Sequence, residues 1–144
     1  MSLTVDANIW LAAADPHELS QDICARFLTL ALSTDEPLES PLLLQVEIAG
    51  ATSRKTGNSD DARKVTLEIV SIAAHRWHAL DEYLASAASA LAGELRLRGA
   101  DAVYAAVAAY TGSTLITLHR ELQARTNQHI SAMTPDGWIA ARTT

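Results

Sequence analysis

The chain has 144 residues and one cysteine, Cys24, so it cannot close an intramolecular disulfide. Set in an apolar helical stretch, Cys24 reads as a small buried hydrophobe. Aromatic residues make up only 5% of the chain. No apolar run approaches the roughly 18 residues that a transmembrane helix needs. No basic segment followed by an apolar core opens the chain, so a soluble, cytoplasmic protein is expected, with no membrane partner. The sequence also has no GxSxG elbow, no glycine-rich phosphate loop, no CxxC pair and no HExxH helix, which removes the usual signals for the chemistries those motifs serve.

Basic residues are outnumbered, 11 Lys and Arg against 17 Asp and Glu, for a net charge of −6. A protein that grips nucleic acid by charge alone is usually basic, so a broad non-specific binding surface is disfavoured. A metal-neutralised acidic site remains compatible with that balance. The charges are also unevenly spread. From Asp15 to Glu39 the acids are Asp15, Glu18, Asp22, Asp35, Glu36 and Glu39, with Arg26 the only base. Arg54, Lys55, Arg63 and Lys64 cluster further on, followed by Arg96, Arg98, Arg120 and Arg125. Solvated helix faces account for much of this, and a phosphate-contacting edge is the alternative for the rest.

What is abundant is apolar side chain, 49% of residues against 19% charged, and much of it is alanine, which favours closely packed helices. One domain over residues 1–144 is expected. Leu3-Thr4-Val5 reads as a strand ending at Asp6, followed by helical residues from Ala7 to Ala13. A helix is expected from about Ser20 to Leu32, then a polar loop from Thr34 to Glu39. Ser40-Pro41 reads as the N-cap and first position of a helix running to about Lys55. Gly57-Asn58-Ser59 makes a turn before a helix over Asp60 to Ile72. A short strand follows around Trp77 to Leu80, then a helix capped by Asp81 and ending near Leu97. Beyond Gly99, Ala100 to Tyr110 is helical. Thr114 to Leu118 is the clearest strand, Arg120 to Arg125 a short helix and His129 to Met133 a strand. Pro135-Asp136-Gly137 reads as a turn. Strands alternating with helices imply crossovers and a mainly parallel sheet.

Sites in open α/β sheets form outside the carboxyl ends of strands, and Asp6 stands at such an end. Capping the next helix is its simpler reading. Asp101 falls in the first turn of a helix, where the helix dipole favours an anion. Glu47 sits among Leu43, Leu44, Val46 and Ile48, where a carboxylate is costly unless it is paired, bound to metal or reaching solvent. Taken together, three carboxylates suit magnesium (Mg2+) or manganese (Mn2+), ions that prefer oxygen ligands and can promote attack on a phosphodiester.

Four segments carry a resemblance in order: Val5-Asp6-Ala7-Asn8-Ile9-Trp10-Leu11, Val46-Glu47-Ile48, Arg98 to Ala106, and Leu115 to Leu122. They resemble the PIN-domain ribonucleases, and among these the VapC-type toxins of toxin–antitoxin pairs. The resemblance implies a three-layer α/β/α PIN-like fold and metal-dependent cleavage of single-stranded RNA, leaving a 5′-phosphate and a 3′-hydroxyl. It implies Asp6, Asp101 and Glu47 at the metal, Asn8 in a polar helper position, a homodimer, and a cognate antitoxin protein. Trp10, Leu11, Phe27 and Leu28 are candidates for the antitoxin groove, with buried core as their simpler reading. The family's usual fourth acid is replaced here by His119, a poor magnesium ligand but an acceptable manganese one. His119 also suits proton transfer near neutral pH, and Glu121 is a candidate to supply the missing charge. A catalytically weak protein that binds RNA or antitoxin without efficient turnover is the alternative function. An aspartyl-phosphate phosphohydrolase fits less well, because Asn8 stands where a second Asp is wanted. His75 and His78 straddle Trp77 with spacing that sends them to opposite faces of a strand, and His17 and His129 read as surface residues.

Overall fold

The computed structural model describes residues 1–142. The chain runs β1 (Leu3–Val5), α1 (Ala7–Ala13), α2 (Gln21–Leu32), β2 (Leu38–Pro41), α3 (Leu43–Thr56), α4 (Ser59–Val70) and β3 (His75–His78). It continues through α5 (Glu82–Leu95), α6 (Gly99–Thr111), β4 (Thr114–Ile116), α7 (Arg120–Thr126), β5 (Ala132–Met133) and α8 (Pro135–Arg142). The five strands form one sheet in the order β3-β2-β1-β4-β5, and every pairing is parallel. This is the three-layer α/β/α arrangement expected from the sequence. The chain builds outward from β1 through β2 to β3, then returns to place β4 on the other side of β1. The β1–β4 seam is therefore the switch point of the sheet, where open α/β folds leave a crevice.

The alanine content explains the packing around that seam. Residues Ala102 to Ala108 of α6 are all buried, as expected of a helix covered on more than one side. α6 lies against β1, β2 and β4, and α5 packs on α6 through a cluster of Leu84, Ala88, Ala102, Val103, Ala106 and Val107. α1 packs on α2 and α3, α3 on α4, and α2 on α8. Phe27 meets Trp138 edge-on, with ring centroids 5.0 Å apart.

The largest correction is at β2. Ser40 and Pro41 do not open a helix: with Leu38 and Glu39 they form a buried strand paired with β1 and β3, and the helix starts at Leu43. Pro41 is tolerated because it ends the strand, and Leu42 N–H donates to His78 O at 2.9 Å just beyond it. A Ser-Pro pair is a local cap signal, and here strand pairing overrides it. Glu39, counted in the acidic stretch, is buried against Arg76 at 3.1 Å and His78 at 2.6 Å. It is thus no part of an exposed acidic surface.

Other boundaries shift for similar reasons. β3 begins two residues earlier than expected because Leu38 N–H pairs with Ala74 O, which leaves Leu80 exposed. β5 is limited to Ala132 and Met133. Pro135-Asp136-Gly137 opens α8 rather than a turn, with Thr134 Oγ1 accepting from Gly137 N–H at 3.2 Å. Asp81 caps α5 as expected, accepting from Leu84 N–H at 2.8 Å. Among the described residues, no helix is long and apolar enough to cross a membrane.

Candidate metal centre and adjoining grooves

Asp6 leaves the end of β1 in extended conformation at the N-cap position of α1, but its side chain makes no capping hydrogen bond. The carboxylate turns instead across the seam to β4. Oδ2 accepts from Thr117 Oγ1 at 2.8 Å and from Asn8 Nδ2 at 3.1 Å. Thr117 Oγ1 in turn accepts from His119 N–H at 3.0 Å, and Asn8 Oδ1 accepts from Leu118 N–H at 3.4 Å. Oδ1 of Asp6 takes no hydrogen bond among the described residues. The helper position read at Asn8 thus touches Asp6 directly.

Asp101 is the third residue of α6, whose N-terminus points its positive dipole end at the same crevice. His119 follows β4 at the N-cap of α7 without capping it through its side chain, and its Nδ1 stands 4.0 Å from Asp101 Oδ1. Asp6, Asp101 and His119 each offer one ligand atom, and these atoms lie within 4.8 Å of one another. Glu47, in α3, is outside that cluster. It still acts on Asp6 electrostatically. Its Oε1 and the hydroxyl of Tyr104, one turn along α6 from Asp101, are both buried and close enough to act on each other's charge, without a well-formed hydrogen bond between them.

The electrostatics record the crowding. Burial raises the Asp6 carboxyl to about 6. The Thr117 hydrogen bond and His119 oppose the rise, while Asp101 and Glu47 add to it. Glu47 is also raised, chiefly by burial and then by Asp101, with the nearby Tyr104 hydroxyl offsetting part of the effect. Carboxylates pushed upward by burial and by one another, with one oxygen orphaned, suit a divalent cation, which supplies the missing opposite charge. The donors are carboxylate oxygens plus an imidazole, a set compatible with magnesium or manganese. Glu121 does not join them. It is exposed and paired with Arg125 on the next turn of α7.

Two grooves adjoin the centre. One, of about 370 Å³, holds Asp101 and His119 together with Arg96, Arg98, Arg120 and Arg125. Arg125 is already engaged, pairing with Glu121 and donating to Arg96 O at 2.5 Å. Arg96 is the left-handed C-cap of α5, φ 57°, with its N–H donating to Ala92 O, a conformation unusual for a residue with a side chain. The other, of about 890 Å³, runs between α1, α3 and α4 with apolar walls from Leu11, Ala12, Ala51, Val65 and Leu118. Asn8 is at one side, and Asp15 and Glu18 line the rim. Of the four apolar candidates for a partner groove, Leu11 lines this one. Trp10 and Phe27 are core, and Leu28 packs against it.

Thr117 and Tyr104 carry no signal in the sequence. A lone threonine after a strand carries no distinctive pattern, and a tyrosine inside an alanine-rich helix reads as packing. His75 and His78 do face apart: His75 bridges Ser40 and Ile69 O and stacks on Trp77, while His78 binds Glu39. His17 and His129 are exposed.

A sequence comparison with curated proteins finds no match. Solved structures share the fold. VapC20 of Mycobacterium tuberculosis, a sarcin-ricin loop cleaving toxin, is 17% identical, with 85% of this chain and 94% of that one covered and a TM-score of 0.72. VapBC2 from Rickettsia felis, bound to a DNA fragment from its promoter, is 16% identical over 93% and 98%, with a TM-score of 0.68. A toxin–antitoxin complex from Klebsiella pneumoniae is 17% identical over 94% and 98%, with a TM-score of 0.66. The PIN domain profile matches residues 3–127, from the first strand to the end of α7 and through every residue of the acidic centre, and the chain belongs to the PIN domain family.

Proposed function

We propose that this chain, folded as one domain, is a metal-dependent endoribonuclease that hydrolyses single-stranded RNA and serves as the toxin of a toxin–antitoxin pair. The observation that carries the reading is the convergence of Asp6, Asp101 and His119 on the β1–β4 seam of a PIN domain, with Glu47 beside them and an arginine-lined groove leading away. Asp6 and Asp101 would hold a magnesium or manganese ion, with Glu47 completing the site beside them. When bound, the ion lowers the pKa of water and offsets charge gathering on the phosphodiester.

The chain's own residues do the rest. Thr117 and Asn8 fix the Asp6 carboxylate, so one oxygen stays directed and the other free. Glu47, with its orphaned Oε1, orients the attacking water and receives its proton. Arg98 and Arg120 bind phosphates flanking the scissile bond and present it to the acids, since arginine suits phosphate geometry. His119 stands at the edge of the groove beside the acids, and the leaving 3′-oxygen takes its proton from solvent.

The apolar groove between α1, α3 and α4 supports a protein partner, and its proximity to Asn8 lets an antitoxin segment reach the centre and silence it. Other structures of this fold are toxin–antitoxin assemblies. A homodimer in the cytoplasm completes the reading. The test is RNA cleavage by the protein with either ion or with chelator: cleavage that needs the ion and is lost in Asp6→Asn supports it, and unchanged cleavage in Asp6→Asn overturns it.

One observation favours a second reading, a protein that binds RNA or antitoxin with little turnover: an imidazole stands where an additional carboxylate would strengthen the centre. Multiple-turnover cleavage in manganese would dismiss it.

A further inference from the structure

Three donors of unequal character meet at the seam. The Asp6 carboxylate is buried and tied down by Thr117 and Asn8. Asp101 is held on the first turn of α6, with its side chain 20% exposed. The His119 side chain is 54% exposed, and its ring makes no hydrogen bond among the described residues. An octahedral ion with ligand bonds of about 2.1 Å places neighbouring donors about 3 Å apart and opposite donors about 4 Å apart. The three atoms lie within 4.8 Å of one another, and the pair His119 Nδ1 and Asp101 Oδ1 is 4.0 Å apart, close to the span of two donors across one ion; the exposed ring of His119 is the least constrained of the three.

Glu47 is the one acid beside the centre, and it lies outside the cluster of ligand atoms; the other acids around the seam are engaged elsewhere. Glu121 is drawn off by Arg125, Glu39 is buried against Arg76 and His78, and Asp136 accepts from Thr134. Resting on the reading that Asp6 and Asp101 hold the ion, we propose that His119 is its third protein ligand and makes this centre selective for a single transition-metal dication over magnesium. The physical reason is donor softness. Magnesium is a hard ion that gives up water reluctantly and prefers oxygen, whereas imidazole bonds well to first-row transition metals. Manganese accepts oxygen and nitrogen together, so it suits two carboxylates and one imidazole. The imidazole is also neutral when it ligates. The two ligating carboxylates balance one dication, and Glu47 is the only further carboxylate beside them to attract a second.

The test uses the whole chain, stripped with chelator and then titrated calorimetrically with magnesium and with manganese, for the native protein, His119→Ala and His119→Asp. Thermal melting checks that each variant is folded, which exposure of the ring favours, and His119→Gln serves as a second neutral variant. His119→Ala should weaken manganese about tenfold or more while magnesium changes by less than about twofold. His119→Asp should raise magnesium affinity and narrow the preference. Nitrogen coupling in the electron spin resonance of bound manganese should be present in the native protein and absent in His119→Ala.

The same magnesium-to-manganese ratio in all of these proteins, absence of nitrogen coupling, or a native chain that binds neither ion would each overturn the proposal. Manganese binding that ignores His119 yet vanishes in Asp6→Asn overturns it and leaves the two-carboxylate centre standing. Nitrogen-coupled manganese on a protein that cuts no RNA upholds it and removes the nuclease reading instead.

Discussion

The hydroxyl of Thr117 donates to Oδ2 of Asp6 at 2.8 Å, joining residues 111 positions apart across the β1–β4 seam. Both groups are buried, and the bond sets where the central carboxylate points. Thr117→Val keeps the side-chain shape and removes the donor. A hydrogen bond to a charged group is worth about 1.5–3 kcal/mol, and loss of a residue that orients a metal ligand lowers metal affinity about 10–100-fold. Thr117→Val should therefore melt lower in the ion-free state and bind manganese more weakly by calorimetry, while Thr117→Ser restores both. Unchanged manganese affinity in Thr117→Val would show that Asp6 is oriented without it.

The buried Asp6 carboxyl makes the stability of the fold depend on pH. Its pKa is raised from 3.8 to about 6 in the folded chain, so between those values the folded state holds a proton that the unfolded state has released. Stability from this group is therefore present at low pH and lost as pH rises through the window, by an upper limit of about 3 kcal/mol. His75 runs the other way: burial lowers its pKa below 6.5, and its contribution is lost as pH falls. Comparing native protein with Asp6→Asn cancels the His75 effect. In chelator, Asp6→Asn should be more stable than native at pH 8, and the gap should close toward pH 4 in urea titrations. Parallel pH profiles would contradict the account.

The arginine groove predicts a salt signature. Using Asp101→Asn to prevent cleavage, single-stranded RNA should bind less tightly to Arg98→Ala and Arg120→Ala across sequences, with the slope of log affinity against log salt falling by about 0.7 for each phosphate contact removed. Arg125→Ala should differ. Arg125 secures Glu121 and the Arg96 carbonyl, so its loss should lower the melting temperature as well. Salt slopes unaltered by Arg98→Ala and Arg120→Ala would place the RNA elsewhere.

The readable parts of this centre were those with a local signature. Asp6 was marked by a strand that stops and a helix that starts, and Asp101 by Arg-Gly-Ala ahead of an alanine-rich helix. The arginines stood out as charges in an acidic chain, although only folding reveals that Arg96 and Arg98 share a groove with Arg120 and Arg125. β2 was hidden because Glu39, Ser40 and Pro41 contradict strand propensity, and the strand is held by neighbours on both sides and by a buried ion cluster. Thr117 was hidden for a related reason: its importance lies in a partner 111 residues away, not in its own neighbourhood. Trp10 and Phe27 lie in the core, the simpler reading of their apolar character.

The central claim is that the acids at the seam hold an ion and cut RNA. The measurement that tests it most directly is cleavage of structured and single-stranded RNA by native protein and Asp101→Asn, each folded, with magnesium, manganese or chelator. The account predicts cleavage of single-stranded RNA by the native protein in either ion, strongest in manganese, with none in chelator and none by Asp101→Asn. Cleavage that persists in chelator, or that Asp101→Asn retains in full, would contradict it.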